Sequence, residues 1–403
     1  MNASTVFYYG SSLRARIQGI TRSWRCRDKL LVFESDDWGA IRTSTPLAYE
    51  QLLSNGYPID RSFWHLDALE TDDDMTALYE VLNRYRDIRG CPACFTGNII
   101  MANPNFEKIL NSNYQHYYFE NVAKTFERSS MRRGVPKLWK EGLESKIFRP
   151  QLHAREHVKW WDWLLALKEG SREALETFDL NMSGVEVEIS KEGRSYFEPI
   201  YINSCEIDNF TLDIDGMVRD GFEIFESVFG YKSLSTIAPF CAWTDKVEQI
   251  WIDLGVKYIQ GGYCQQVVSD RGVAYIPHYL GERSKYGSIY LVRNCNFEPA
   301  SNQKQDVIGK TLSNIKMAFM LGIPAIISTH RVNYIGTIRE SNRNRGLSQL
   351  SKLLAQVLKT WPDVNFVTSA ELGCMIENGL HRVTDLQGLE TDIYPTVKPN
   401  LDK

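Results

Sequence analysis

Two adjacent carboxylates, Asp36 and Asp37, follow the apolar run Leu30–Phe33, and two histidines spaced by four, His153 and His157, follow Ile147–Phe148. Another histidine, His330, ends the run Ala325–Ile327, and Pro239-Phe240 follows Ser235–Ile237. A carboxylate joined to two imidazoles is a donor set of hydrolytic zinc sites, which leave positions open for water and substrate. On that chemistry Asp37, His153 and His157 are the expected ligands of Zn2+ or another divalent cation. Such an ion lowers the pKa of its water from about 15.7 toward roughly 7 and polarises a carbonyl. Asp36 is then the expected general base, and His330 the acid that protonates the departing amine. Each pattern alone has a bland origin, since HxxxH arises by chance and Asp-Asp often marks a polar turn. Their joint placement at run ends, in a chain with only seven histidines, makes them a candidate site.

These groups converge only if the runs are strands of one sheet. Strand signals near 29–35, 93–100, 146–152, 233–238, 256–260, 287–292, 324–329 and 364–368 alternate with helical ones, the pattern of βα units around a largely parallel sheet. In a β/α barrel the functional side chains project from the C-terminal strand ends. Adjacent strand residues face opposite sides, so Asp36 and Asp37 meet only if the chain turns, for which Trp38-Gly39 is the expected place. His153 and His157 share a face if their segment is helical. Thr45-Pro46 reads as a helix start, Gly90, Gly170, Gly230, Gly255 and Gly322 as helix ends, and Asp72–Asp74 as a dipole-complementing first turn. Residues 101–145, aromatic-rich and helical by pattern, and 182–214, with Val185–Ile189 alternating as a strand, read as insertions. The expectation is a single α/β barrel domain over 1–385 and a loosely packed tail over 386–403.

The length of 403 residues accommodates one barrel of roughly 250 residues with long insertions. Apolar residues at 43% supply a core, and a net charge of −4 gives no global pull toward nucleic acid. The N-terminus, with Tyr8, Tyr9, Gly10, Arg14, Arg16 and Arg22, lacks the apolar stretch of a secretory signal. Met317–Ile327 is too short for a membrane span and reads as a helix followed by a strand. A cytoplasmic protein with no membrane span is expected. The eight cysteines are scattered, and Cys91-Pro92-Ala93-Cys94 lacks the second pair of a zinc site, so they read as reduced, mostly buried thiols. The sequence sets no oligomeric state.

In this order the motifs resemble those of the metal-dependent polysaccharide deacetylases, carbohydrate esterases that share the NodB-homology domain. Pro92-Ala93-Cys94-Phe95-Thr96 is similar to that family's second strand, and Phe366-Val367-Thr368 with Glu371-Leu372 to its last strand and following helix. The resemblance covers most of residues 29–375. It implies an irregular (β/α)7-type barrel with helical and β insertions, and removal of an acetyl group from an N- or O-acetylated sugar in cell-surface polysaccharide or glycoconjugate synthesis. It implies the same base, ligands and acid, and adds the Phe240 backbone N–H as an oxyanion donor, a contact worth roughly 3 kcal/mol.

The chain also departs from the family. Ala154 and Val158 stand where the family has Ser or Thr and Pro, and the base-orienting arginine before Pro-Phe is absent from Thr236–Phe240. Arg155 or Arg331 is the expected replacement. Trp38, Phe240 and Trp243 are candidates to stack on a sugar, and the loop with Arg331, Arg339, Arg343 and Arg345 reads either as a phosphate cradle or as a solvated loop. Two other classes fit these residues: a sugar-binding relative without turnover, and a metal-independent glycoside hydrolase using Asp36 or Asp37 as one of two carboxylates.

Overall fold

Every one of the eight expected runs forms a strand. The computed structural model describes residues 17–202, 206–207, 210–269, 272–301, 306–389 and 393–394. The main sheet contains β1 (Lys29–Trp38), β2 (Phe95–Ile100), β3 (Phe148–Ala154), β4 (Ser235–Thr236), β5 (Tyr258–Gly261), β6 (Ile289–Val292), β7 (Cys295–Asn296), β8 (Ala325–His330) and β9 (Val364–Phe366). All pair in parallel, in the order β6-β5-β4-β3-β2-β1-β8-β7, with β9 beside the start of β1.

The two edge strands, β6 and β7, are separated in sequence only by Arg293 and Asn294. A flat sheet of that size would hold its edges about 33 Å apart, at about 4.8 Å per strand. Three residues of chain span at most about 11 Å. The sheet must therefore curl upon itself, with 289–296 as one barrel strand that changes partner midway. The Arg293 N–H donates to Gly261 O at 2.9 Å and the Asn294 N–H to Ile326 O at 3.1 Å, holding the seam. This is the expected irregular, seven-membered β/α barrel.

β2 and β3 are buried along their whole length, as parallel strands covered on both faces must be. The main core takes side chains from Leu30 through to Ile393. Helix α1 (Pro46–Ser54) is capped by Thr45, whose hydroxyl accepts the Ala48 N–H. Thr71 and Asp74 form a reciprocal capping box at the start of α2 (Asp72–Arg84), which accounts for the acidic run. Helix α3 (Ile214–Phe229) ends at Gly230, whose φ of +76° is the left-handed conformation that glycine adopts without strain. Helices α4 (Val307–Met320) and α5 (Glu340–Thr360) flank β8 in sequence, so Met317–Ile327 is a helix end and a strand. Among the described residues no helix is long and apolar enough to cross a membrane.

Three expectations change. Residues 101–145 hold, besides helices, an antiparallel pair of Ala102–Pro104 with Phe119–Asn121. Val185–Ile189 is no strand but a turn closed by the Ile189 N–H on Glu186 O at 3.0 Å. Val185 and Ile189 are buried together while Val187 is 52% exposed, so the apolar spacing is that of a turn rather than a pleat. In the tail, Ile393 is buried and its carbonyl accepts from Arg149, while Tyr394 lies 4.5 Å beneath that guanidinium. Residues 395–403 lie outside the described residues, as do 1–16.

The turn after β8 is set by close packing. A Cβ on Gly346, in α5, would stand 1.6 Å from the Asn333 carbonyl oxygen. Gly346→Ala should lower stability by about 2–3 kcal/mol, read as a drop in the urea midpoint, and wild-type stability would show that this helix does not brace the turn.

Candidate active site

Because all strands of the barrel run in parallel, the ends of β1, β3 and β8 open on one face. Pairing of β1 with β2 shifts between Ser35 and Trp38, and Asp37 has a φ of +72°. The chain turns at Trp38-Gly39 as expected, closed by the Ala40 N–H on Asp37 O at 3.3 Å with Gly39 at a φ of +82°. The irregularity begins one residue earlier, at Asp37, in a conformation that Asp tolerates better than most residues. Asp36 and Asp37 consequently line the same cavity. Gly39 N–H then donates to both oxygens of buried Glu70, at 3.0 and 3.2 Å, which fixes the exit of the chain.

The two histidines also converge, but not on a helix. β3 ends at Ala154, and His157 returns through the following turn, leaving the ring centroids 5.3 Å apart. His153 Nδ1 donates to Ile237 O at 2.8 Å, which leaves its Nε2 lone pair free. That Nε2 lies 3.4 Å from Asp37 Oδ1, and His157 Nε2 lies 3.8 Å from the same oxygen. Two atoms held roughly 2.1 Å from one tetrahedral ion stand about 3.4 Å apart. The buried trio, its ligand atoms all within 4.8 Å of one another, therefore fits a divalent cation. Burial, then the Arg42 charge, pushes His157 down to about 3, so its ring is neutral and able to ligate. Burial would raise Asp37, but its contact with His153 and the neighbouring positive charge of Arg42 hold it well below the usual carboxylate range.

Asp36 is gripped by a residue that the sequence reading missed. Arg293 NH1 and NH2 donate to its two oxygens at 2.6 and 2.7 Å, and Asn98 adds a third bond at 2.7 Å. Arg293 Nε donates to Glu34 at 2.6 Å, and Glu34 accepts in turn from Ser369 at 2.7 Å. Burial works against ionisation of Asp36, yet the Arg293 charge and hydrogen bonds hold its pKa below the ordinary value. His330 Nε2 stands 3.9 Å from Asp36, and Glu298 receives His330 Nδ1 at 2.6 Å. Burial opposes protonation here, but Glu298, Asp36 and Asp37 raise the imidazole to about 9.

The structure brings Asp36, Asp37, His153, His157, His330 and Phe240 to one cavity. Phe240 is 47% exposed, has a φ of +58°, and its ring centroid is 5.4 Å from that of His157. The other substrate candidates are elsewhere. Trp38 is buried edge-on against Phe148 and bonds Ser35, and Trp243 is buried with its Nε1 on Glu248. Arg155 pairs with Glu156 and Asp220, each at 2.6 Å, beside a separate aromatic pocket. Arg331 is fully buried between Asp67, at 2.9 and 3.0 Å, and Glu70, at 2.8 Å. Neither arginine replaces the missing one. Arg343 is held by Asp74, Arg339 by Tyr49 and Arg345 reaches Asn342 at 3.4 Å, and none of the three lines the cavity. Sequence reasoning also missed Arg42 and Glu186, which line the cavity; the Arg42 guanidinium stacks 3.9 Å from the Phe197 ring.

Arg293→Met should remove the counter-charge that keeps Asp36 ionised. The Asp36 pKa then rises, which a carboxyl-carbon NMR titration of the two proteins reads directly. An Asp36 titration unmoved by the substitution would show that Arg293 does not hold it ionised.

No family model matches the sequence, and no curated protein matches it. Solved structures are similar, and many of them are polysaccharide deacetylases. A protein from Mycobacterium smegmatis designated a polysaccharide deacetylase shares 12% identity over 89% of this chain and 93% of its own, with a TM-score of 0.43. One from Parabacteroides distasonis designated a glycoside hydrolase/deacetylase shares 9% over 88% and 72%, at 0.47. The 4-alpha-glucanotransferase of Thermococcus litoralis shares 9% over 86% of this chain but only 40% of its own, at 0.41. Likeness at these identities assigns no function, which is read from the site's own side chains.

Proposed function

We propose that this protein is a metal-dependent hydrolase that removes an acetyl group from an N- or O-acetylated sugar. One arrangement carries the reading: Asp37, His153 and His157 converge between an Arg293-bound carboxylate, Asp36, and a Glu298-bound imidazole, His330. Asp37, His153 and His157 would hold the ion, which when bound would supply Lewis acidity and lower the pKa of a water. Asp36 accepts the proton of the attacking water, and Arg293 keeps that carboxylate ionised and oriented. The Phe240 backbone N–H is the proposed donor to the acyl oxygen as charge develops there. His330, protonated at neutral pH, gives its proton to the departing nitrogen or oxygen. The acyl C–N or C–O bond breaks, and acetate and the free amine or hydroxyl leave. We place the reaction in cell-surface glycan synthesis on the cytoplasmic side, a setting in keeping with the described cysteines all being free.

The test pairs metal content with acetate release from N- and O-acetylated sugars. Wild type should release acetate and stop on chelation, and Asp36→Asn should keep the ion while losing about a thousandfold in rate. A zinc-loaded wild type inert on the whole panel would make this a sugar-binding protein. Glycoside cleavage that survives chelation would make it a metal-independent glycosidase.

A further inference from the structure

The catalytic cavity is larger than one sugar requires and has two chemically different parts. Its volume, about 1060 Å³, exceeds the roughly 300–1,000 Å³ that encloses a drug-sized ligand. The floor holds Asp36, Asp37, Arg42, Glu186 and the three histidines. The same cavity is also lined by Ile20, Tyr263, Leu280, Met317, Leu321 and Ile323, together with the uncharged polar Ser23 and Asn314, and this part, the arm, has no charged side chain. Leu280 and Ile323 are buried, whereas Ile20 is 49% and Met317 57% exposed, so the arm runs from a dry base to an apolar rim. Ile17 and Met320, also exposed, lie three residues from Ile20 and Met317 on their respective helices and so extend the same faces. Exposed apolar surface continuous with a reactive cavity marks a ligand contact, and a free sugar has nothing to place there. Methionines at the rim adapt to chains of varied shape.

We propose that the substrate is an amphiphile, an acetylated sugar joined through its aglycone to an alkyl-type chain, with the chain held in this arm. The proposal rests on the hydrolytic reading above for the sugar end, and on the arm alone for the chain.

The experiment separates the two. Titration calorimetry with butyl, hexyl and octyl β-glucosides, which carry no acetyl group, reads the arm without turnover, each below its critical micelle concentration. Affinity should rise about three- to fourfold per methylene, with an increasingly negative heat-capacity change. The octyl-to-butyl ratio should fall at least tenfold in Ile20→Asp/Met317→Asp and be kept in Ile20→Leu/Met317→Leu; both positions are half exposed, so the fold tolerates the change. Acetate release from the matching N-acetylglucosaminides should show the same chain dependence in kcat/KM. Affinity that is flat with chain length, or a ratio unmoved by the aspartates, overturns the proposal. Acetate released equally from short and long glycosides removes the arm and leaves the hydrolase. Graded binding with no acetate from any glycoside supports the arm and removes the hydrolase.

Discussion

His153→Ala protein is expected to emerge from purification without its ion and with turnover lowered by a thousandfold or more. The side chain offers one of the three donor atoms of the proposed site, and its Nδ1 bond to Ile237 O fixes both the tautomer and the direction of Nε2. Without it, Asp37 keeps only His157 at 3.8 Å and the Arg42 guanidinium at 3.9 Å, and two protein ligands do not hold a catalytic zinc against dialysis. Metal analysis and acetate release should fall together. Added zinc should raise the thermal midpoint of wild type, since an ion that binds only the folded chain stabilises it, and should leave the variant unmoved. Stoichiometric zinc in dialysed His153→Ala would remove this histidine from the ligand set.

The second large effect is on stability. Arg331→Met should cost about 3–5 kcal/mol, because it leaves Glu70 buried without its bonded cation and Asp67 with only the Arg42 guanidinium at 4.0 Å. Burial already raises both carboxyls, and Arg331 is the main force pulling them back. Removing it raises them further. The folded variant then takes up protons that the unfolded chain does not yet bind, so its deficit should narrow as pH falls from 7.5 toward 5.5. Urea unfolding at the two pH values measures this. A deficit below 1 kcal/mol at pH 7.5 would mean that the triad contributes little. Glu70 also receives Gly39 N–H, directly after the ligand-bearing turn, so the variant should bind zinc more weakly even where it remains folded.

Much of this architecture was legible because parallel strands buried on both faces leave continuous apolar runs. The same runs exposed the site, since Asp36, Asp37, His153 and His330 stand at or just after their ends. Arg293 follows Ile289–Val292 in the same manner, and the strand-end rule applied to β6 would have found it in place of Arg155 and Arg331. Spacing misled where the chain turns. The left-handed Asp37 rotates everything after it, so Trp38 enters the core instead of the cavity. His153 and His157 have helical spacing, yet a strand end and a turn bring them together. Arg42, Glu186 and Glu298 come from connecting segments, where residue type alone gives no direction, and only the folded chain places them around the cavity.

The central claim is that one cation is held by Asp37, His153 and His157. An anomalous-difference map from crystals of the zinc-loaded protein, recorded at the zinc edge, tests it directly. The account requires a single strong peak about 2.0–2.2 Å from His153 Nε2, His157 Nε2 and an Asp37 oxygen. A strong peak on other residues, with none at this trio, would contradict it.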